Sequence, residues 1–242
     1  MSLAVFLGPN DSLKEKIIFW KKIIDEKYTN SPYNNHPPHS TVINLDVRNY
    51  INAVNDIKKS LYGFKPFDII VNHKNVFWND ELTGGHTIYF GIKKNTNLLS
   101  FQKIIAESLI NHKIDIPAPN FISKNGLLYH SHKIYGFPFV GSHWLPHFTV
   151  ASLITSKQDE LIKKFLTNVN LEKFTVNDFS IWKINGDEHK KIETVSLIHN
   201  GISVVKDLKF LGNEISKKLV WNDYDFDIMS TSVSQNKNEF LK

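Results

Sequence analysis

Pro38-His39-Ser40-Thr41-Val42 recurs as Pro146-His147-Phe148-Thr149-Val150, with proline, histidine, threonine and valine at the same offsets 108 residues later. The surroundings recur as well. An apolar strand at 3–7 leads through a Gly-Pro-Asn turn into a helix at 12–28, capped by Asp11 or Ser12. Ile17, Trp20, Ile24 and Tyr28 give that helix one apolar face. A proline-bearing loop, 30–38, precedes the strand "STVINLDV", a helix at 49–61 and strands at 67–78 and 86–92 turned by Gly84-Gly85. The order then repeats: "HTIYFGIKK" as strand, "NLLSFQKIIAESLINH" as helix, a long loop at 112–146, "HFTVASLI" as strand and "SKQDELIKKFLTN" as helix. Strands at 173–184 and 190–199 follow, with Asn185-Gly186 at their turn.

His39 precedes Phe67 by 28 residues and His147 precedes Phe174 by 27, so each motif holds the same station in its unit. Two copies make a duplication rather than a solenoid, which needs at least three repeats. The expected architecture is α+β: two pseudo-symmetric lobes, each an antiparallel sheet with helices on its outer face, around a central active-site groove. Residues 1–200 form this bilobal domain, with the first motif's lobe around 30–85, the second's around 140–200, and elements shared between them. Residues 201–242 form a partly flexible C-terminal extension, with a strand and helix within 203–221 and a frayed end at 230–242.

Side chains alternate along a strand, so His39 and Thr41 leave one face together, as do His147 and Thr149. Two imidazoles and two hydroxyls suit attack at phosphorus. One neutral ring takes a proton from the nucleophile, one protonated ring gives a proton to the leaving oxygen, and the hydroxyls hold the non-bridging oxygens. A single His-x-Thr is more often a strand histidine with a satisfied hydrogen bond. Two copies at equivalent stations favour chemistry.

With Pro37-Pro38-His39-Ser40-Thr41-Val42 and Trp144-Leu145-Pro146-His147-Phe148-Thr149-Val150 in view, the chain resembles the two-histidine (2H) phosphoesterases over about residues 3–199. That family includes the bacterial 2′,5′ RNA ligase and cyclic phosphodiesterases. The resemblance implies a two-lobed sheet with a central groove and metal-independent cleavage of a phosphodiester adjoining a ribose hydroxyl. It puts His39, Thr41, His147 and Thr149 in the roles above. It also implies RNA, an oligonucleotide or a cyclic nucleotide as substrate, and a reverse ligase activity is compatible with it.

Composition limits the alternatives. Zero cysteine removes thiolate metal sites, disulfides and cysteine nucleophiles. A formal charge of +5 suits an anionic substrate, yet Arg48 is the one arginine among 29 basic residues, so phosphate falls to Lys, His, hydroxyls or backbone N–H groups. No apolar run approaches a membrane span and the N-terminus lacks signal character, so a cytoplasmic monomer with no obligate protein partner is expected. His36/His39 and His143/His147 could be metal pairs, but prolines between or beside them oppose a regular helix, and no cofactor or metal is expected. His36 and His143 are read as solvent-facing or as neighbours of the pair, and His130 and His132 as members of the long loop. Trp20, Trp78 and Trp182 are read as core. The long loop places Tyr129, Lys133, Tyr135 and Trp144 before the second motif as candidates for base stacking and phosphate contact. A non-catalytic nucleotide- or oligonucleotide-binding module using the same groove is the alternative.

Overall fold

The structure is a computed structural model that describes residues 2–29, 31–167, 171–185 and 188–197. The expectations for 201–242, and Gly186 of the expected turn, lie outside the described residues. Eight strands are present among the described residues: β1 (Ser2–Leu7), β2 (Ser40–Asp46), β3 (Phe67–Phe77), β4 (His86–Ile92), β5 (His147–Leu153), β6 (Glu172–Val176), β7 (Asp178–Asn185) and β8 (Glu188–Ser196). Six α-helices accompany them: α1 (Asp11–Lys27), α2 (Tyr50–Ser60), α3 (Thr96–Ser108), α4 (Asn120–Ser123), α5 (Gly126–Tyr135) and α6 (Glu160–Leu166).

The strands form two four-stranded antiparallel sheets, ordered β2-β1-β7-β8 and β5-β4-β3-β6. This is the α+β fold of two pseudo-symmetric sheets that the duplication predicts. Elements pass between the stretches around 30–85 and 140–200. β3 leaves the first repeat to pair with β4, and β7 and β8 return to pair beside β1. The segment 173–184 is likewise not one strand: it breaks at Asn177, with β6 in the second sheet and β7 in the first.

Asparagines start four helices. The side chains of Asn10, Asn49, Asn95 and Asn125 each accept from the backbone N–H three residues on, satisfying a donor the helix leaves open. Asn10, in extended backbone, therefore caps α1 in place of Asp11 or Ser12, and Asp11 falls in the first turn, where its negative charge complements the positive end of the helix dipole. Leu13, Ile17, Trp20 and Ile24 bury the inward stripe. The helices cross over: α1 follows β1 but packs on β5, and α3 follows β4 but packs on β2. Trp20 meets Phe165 of α6 edge-on at 5.2 Å, and Phe101 of α3 meets Phe179 of β7 at 5.4 Å.

The segment 112–146 is not irregular throughout. It carries α4, α5 and a 3₁₀ turn at Gly141–His143, so His130 and His132 stand on a helix and His132 is buried. Among the tryptophans read as core, Trp20 is buried, Trp78 is exposed, and Trp182 is half-buried against Phe6. No described helix is long and apolar enough to cross a membrane.

Candidate active site

β2 and β5, which carry the motifs, are edge strands of their sheets and approach each other. The indole N–H of Trp144 donates to the Thr41 carbonyl at 3.0 Å, tying the approach to the second motif directly onto the first. His39, Thr41, His147 and Thr149 are brought to this seam, all partly open to solvent, while Val42 and Val150 are fully buried.

Ladder registers show how alike the two halves are. Phe6 stands opposite Thr41 on one side and Ser180 on the other; Tyr89 stands opposite Thr149 and Asn75. In the first ladder the pairing jumps from Val5↔Ile43 to Phe6↔Thr41, and in the second from Ile88↔Ala151 to Tyr89↔Thr149. The residue skipped is Val42 in one and Val150 in the other. A β-bulge thus follows each His-x-Thr, at a place where such kinks re-aim side chains.

The histidines are anchored identically. His39 Nδ1 lies 2.7 Å from the Pro37 carbonyl and His147 Nδ1 lies 2.6 Å from the Leu145 carbonyl. A carbonyl can only accept, so in each ring Nδ1 carries the hydrogen and Nε2 is left for chemistry. Each ring also rests on an aromatic pair. Phe6 lies 4.0 Å from His39 and 5.9 Å from Trp182; Tyr89 lies 4.9 Å from His147 and stacks on Phe77 at 4.3 Å.

These apolar beds disfavour the charged imidazolium. Burial pushes His39 down to about 4, against the opposing bond to Pro37, and the nearby His36, Lys21 and His189 add to the shift. Burial also lowers His147, but there the Leu145 carbonyl and the Asp80 carboxylate work the other way. His36 and His189 are close by, their rings 6.4 Å from His39 and 4.6 Å from His36 respectively. Spacing in the sequence gives no sign of His189, which comes from the far edge strand.

Of the remaining sequence candidates, Trp144 is only 3% exposed, so its ring packs in the core and cannot stack on a base. Its place in the long loop ahead of the motif points to base stacking, but the hydrogen bond to Thr41 draws it inward. Tyr129, Lys133 and Tyr135 lie on α5, with the Lys133 ammonium over the Tyr129 ring and Tyr135 packed on the core. Gly136, which ends α5, packs on Leu45 at the end of β2 away from His39. The residues that instead surround the pair are Phe6, Trp182, Tyr89 and Phe77. The recurrent triplets Phe6-Leu7-Gly8 and Tyr89-Phe90-Gly91 were the available signal for two of them.

Two buried side chains complete the seam. Lys21 Nζ, on α1, donates to the carbonyls of Tyr33 (2.5 Å), Asn34 (3.1 Å) and Val150 (2.7 Å). Tyr33 has left-handed backbone, φ 67°, within the turn that supplies two of these carbonyls. Burial lowers Lys21 to about 8. Gln102 Nε2, on α3, donates to Val42 (3.0 Å) and Phe139 (2.8 Å), while its Oε1 accepts from Gly141 N–H (2.9 Å).

The family description "2′-5′ RNA ligase superfamily" matches residues 9–188, a span holding both motifs. The chain belongs to that superfamily. Membership places it among the two-histidine phosphoesterases, enzymes of phosphodiesterase type. In fold, this superfamily member is similar to the Thermus thermophilus protein TT0787, at 13% identity and a TM-score of 0.54, covering 81% of this chain and 98% of the other. Escherichia coli LigT complexed with 3′-AMP aligns at 10% identity and a TM-score of 0.49, over 81% and 98%. Kluyveromyces marxianus Usb1 aligns at 13% identity and a TM-score of 0.43, again over 81% and 98%. No curated protein sequence matches the chain.

Proposed function

We propose that the protein is a metal-independent phosphodiesterase that cleaves a ribose-linked phosphodiester: a 2′,3′-cyclic phosphate, a 2′–5′ linkage or an RNA 3′ end. The observation that carries this reading is the twofold recurrence of one chemical unit, an imidazole anchored through Nδ1 to the carbonyl two residues back, followed by a threonine and a bulge. Nothing in strand packing alone requires both histidines to free the same nitrogen.

In hydrolysis, Nε2 of one ring accepts a proton from the attacking water as the other ring gives its Nε2 proton to the leaving ribose oxygen. The neighbours differ in sign. His36, Lys21 and His189 work against a proton on His39, whereas Asp80 favours one on His147. His39 is therefore the base and His147 the acid, with the roles exchanged in the reverse, ligating direction. Thr41 and Thr149 are placed by strand alternation on the histidine face, where their hydroxyls bond the non-bridging oxygens. The aromatic pairs cover part of each ring and offer faces to a base or ribose.

Assay of purified protein against 2′,3′-cyclic mononucleotides, 2′–5′ and 3′–5′ dinucleotides and 3′-end-labelled RNA tests this. Cleavage of at least one, abolished by His39→Ala and by His147→Ala, is expected. Binding of these substrates with no turnover of any would replace the reading with a nucleotide-binding module.

A further inference from the structure

Lys21 and Gln102 come from different helices and differ in chemistry, yet they make the same pattern of bonds. Lys21 joins the loop before the first motif, through Tyr33 and Asn34, to Val150 in the second motif's strand. Gln102 joins the loop before the second motif, through Phe139 and Gly141, to Val42 in the first motif's strand. Each valine is the residue left out of its ladder by the bulge, so its carbonyl needs a partner from outside the sheet. Both side chains are buried, Gln102 completely.

We propose that Lys21 and Gln102 are positioning residues which jointly set the separation of the two catalytic strands, each fastening the bulged valine of one motif to the loop that leads into the other. The inference rests on the reading of the seam as an active site and extends it to residues that touch no substrate.

The donor count fits each task. Three carbonyls around Lys21 match the three N–H groups of an ammonium. At Gln102 two carbonyls and one N–H match an amide's two donors and its acceptor. Apolar side chains would fill either space equally well but would leave bulge carbonyls unpaired, which costs more than a bond's net worth. A buried cation held by three carbonyls is a costly way to fill a core. Its position is accounted for by what it holds. The valines lie three residues from their histidines, so motion of either bulge is passed along a short, stiff strand to the reacting nitrogen.

A direct test measures strand separation and turnover independently. Because the chain has no cysteine, Asn44→Cys with Ile154→Cys, at exposed positions on β2 and just after β5, accepts a pair of spin labels and nothing else. The interlabel distance distribution is compared in otherwise native protein, Lys21→Met and Gln102→Leu, with kcat and KM on a 2′,3′-cyclic mononucleotide taken per folded molecule well below the unfolding temperature. Both variants should broaden or shift the distribution and lower kcat roughly 10- to 100-fold with KM held within about threefold, as expected for misplacement of reacting groups. If Lys21→Met does not fold, Lys21→Gln, which supplies the side chain used at position 102, takes its place. An unchanged distance distribution in either variant overturns the proposal whatever happens to turnover. A changed distribution in a protein whose native form turns over nothing upholds the positioning role and sinks the phosphodiesterase reading instead.

Discussion

Phe6 lies against His39 with ring centroids 4.0 Å apart, on the strand next to the one that carries the histidine. That contact makes the phenyl ring one of the groups that bury His39, whose burial pushes it down to about 4. Phe6→Leu should admit water beside the imidazole and move its titration up toward the ordinary histidine value. The acid limb of the activity profile should move with it. Ring-proton NMR titration of the two proteins gives the answer; an unmoved His39 would mean that the phenyl ring does not set its proton affinity.

In the proposed mechanism turnover depends on both imidazoles together. His39→Ala and His147→Ala should each lower kcat by about 10² to 10⁴-fold. The double variant should lose little more than the worse single one, because the two transfers belong to one step. Single-turnover assays with circular dichroism on each variant separate lost chemistry from lost fold.

Folding stability should fall on mild acidification. His39 binds its proton more weakly folded than unfolded, so between about 4 and the unfolded value of 6.5 the unfolded chain holds more protons. Stability from this group is complete above that window and is lost as pH falls through it, and His147 acts in the same direction. Urea midpoints at pH 7, 5.5 and 4.5 should decline, with a shallower decline in His39→Gln. Equal slopes in both proteins would contradict the assignment.

Trp144→Phe removes the indole donor to Thr41 while keeping an aromatic ring in the core. A loss of about 1 kcal/mol in urea stability is expected from the broken bond. In kinetics the fall should be in kcat rather than a rise in KM, since the ring holds the strands and meets no base. A KM effect alone would return Trp144 to the substrate side of the groove.

Activity should survive dialysis against EDTA, because the two rings between them move both protons. Loss on chelation with recovery on adding zinc or manganese would reverse the metal-independent reading.

The duplication, and the strand and helix order outside 112–146 and 173–184, were legible because each is a local pattern repeated at a fixed station. What escaped was non-local. The apolar alternation changes phase across Asn177-Asp178, from Phe174 and Val176 to Phe179 and Ile181, which marks a break, but the sheet that each half joins is set by distant strands. Trp144 was misplaced because exposure was inferred from a loop, when the ring's fate depends on the distant Thr41 carbonyl. Lys21 lies four residues after Ile17 and three before Ile24, on the apolar face by spacing, but only the fold reveals the carbonyls it meets there. Aromatic residues under the histidines were visible as Phe6 and Tyr89, but their meaning required the register.

The exchange of β3 and β7 between the sheets bears on how such a chain can be divided. Residues 2–77 supply two neighbouring strands of one sheet and a single strand of the other, so a piece ending there would present open edges on both and complete neither. Two such pieces could finish each other only by trading strands. The polypeptide is thus built like an intertwined dimer whose partners have been spliced into one chain, and cutting it at the splice would leave two mutually dependent fragments rather than two independent lobes.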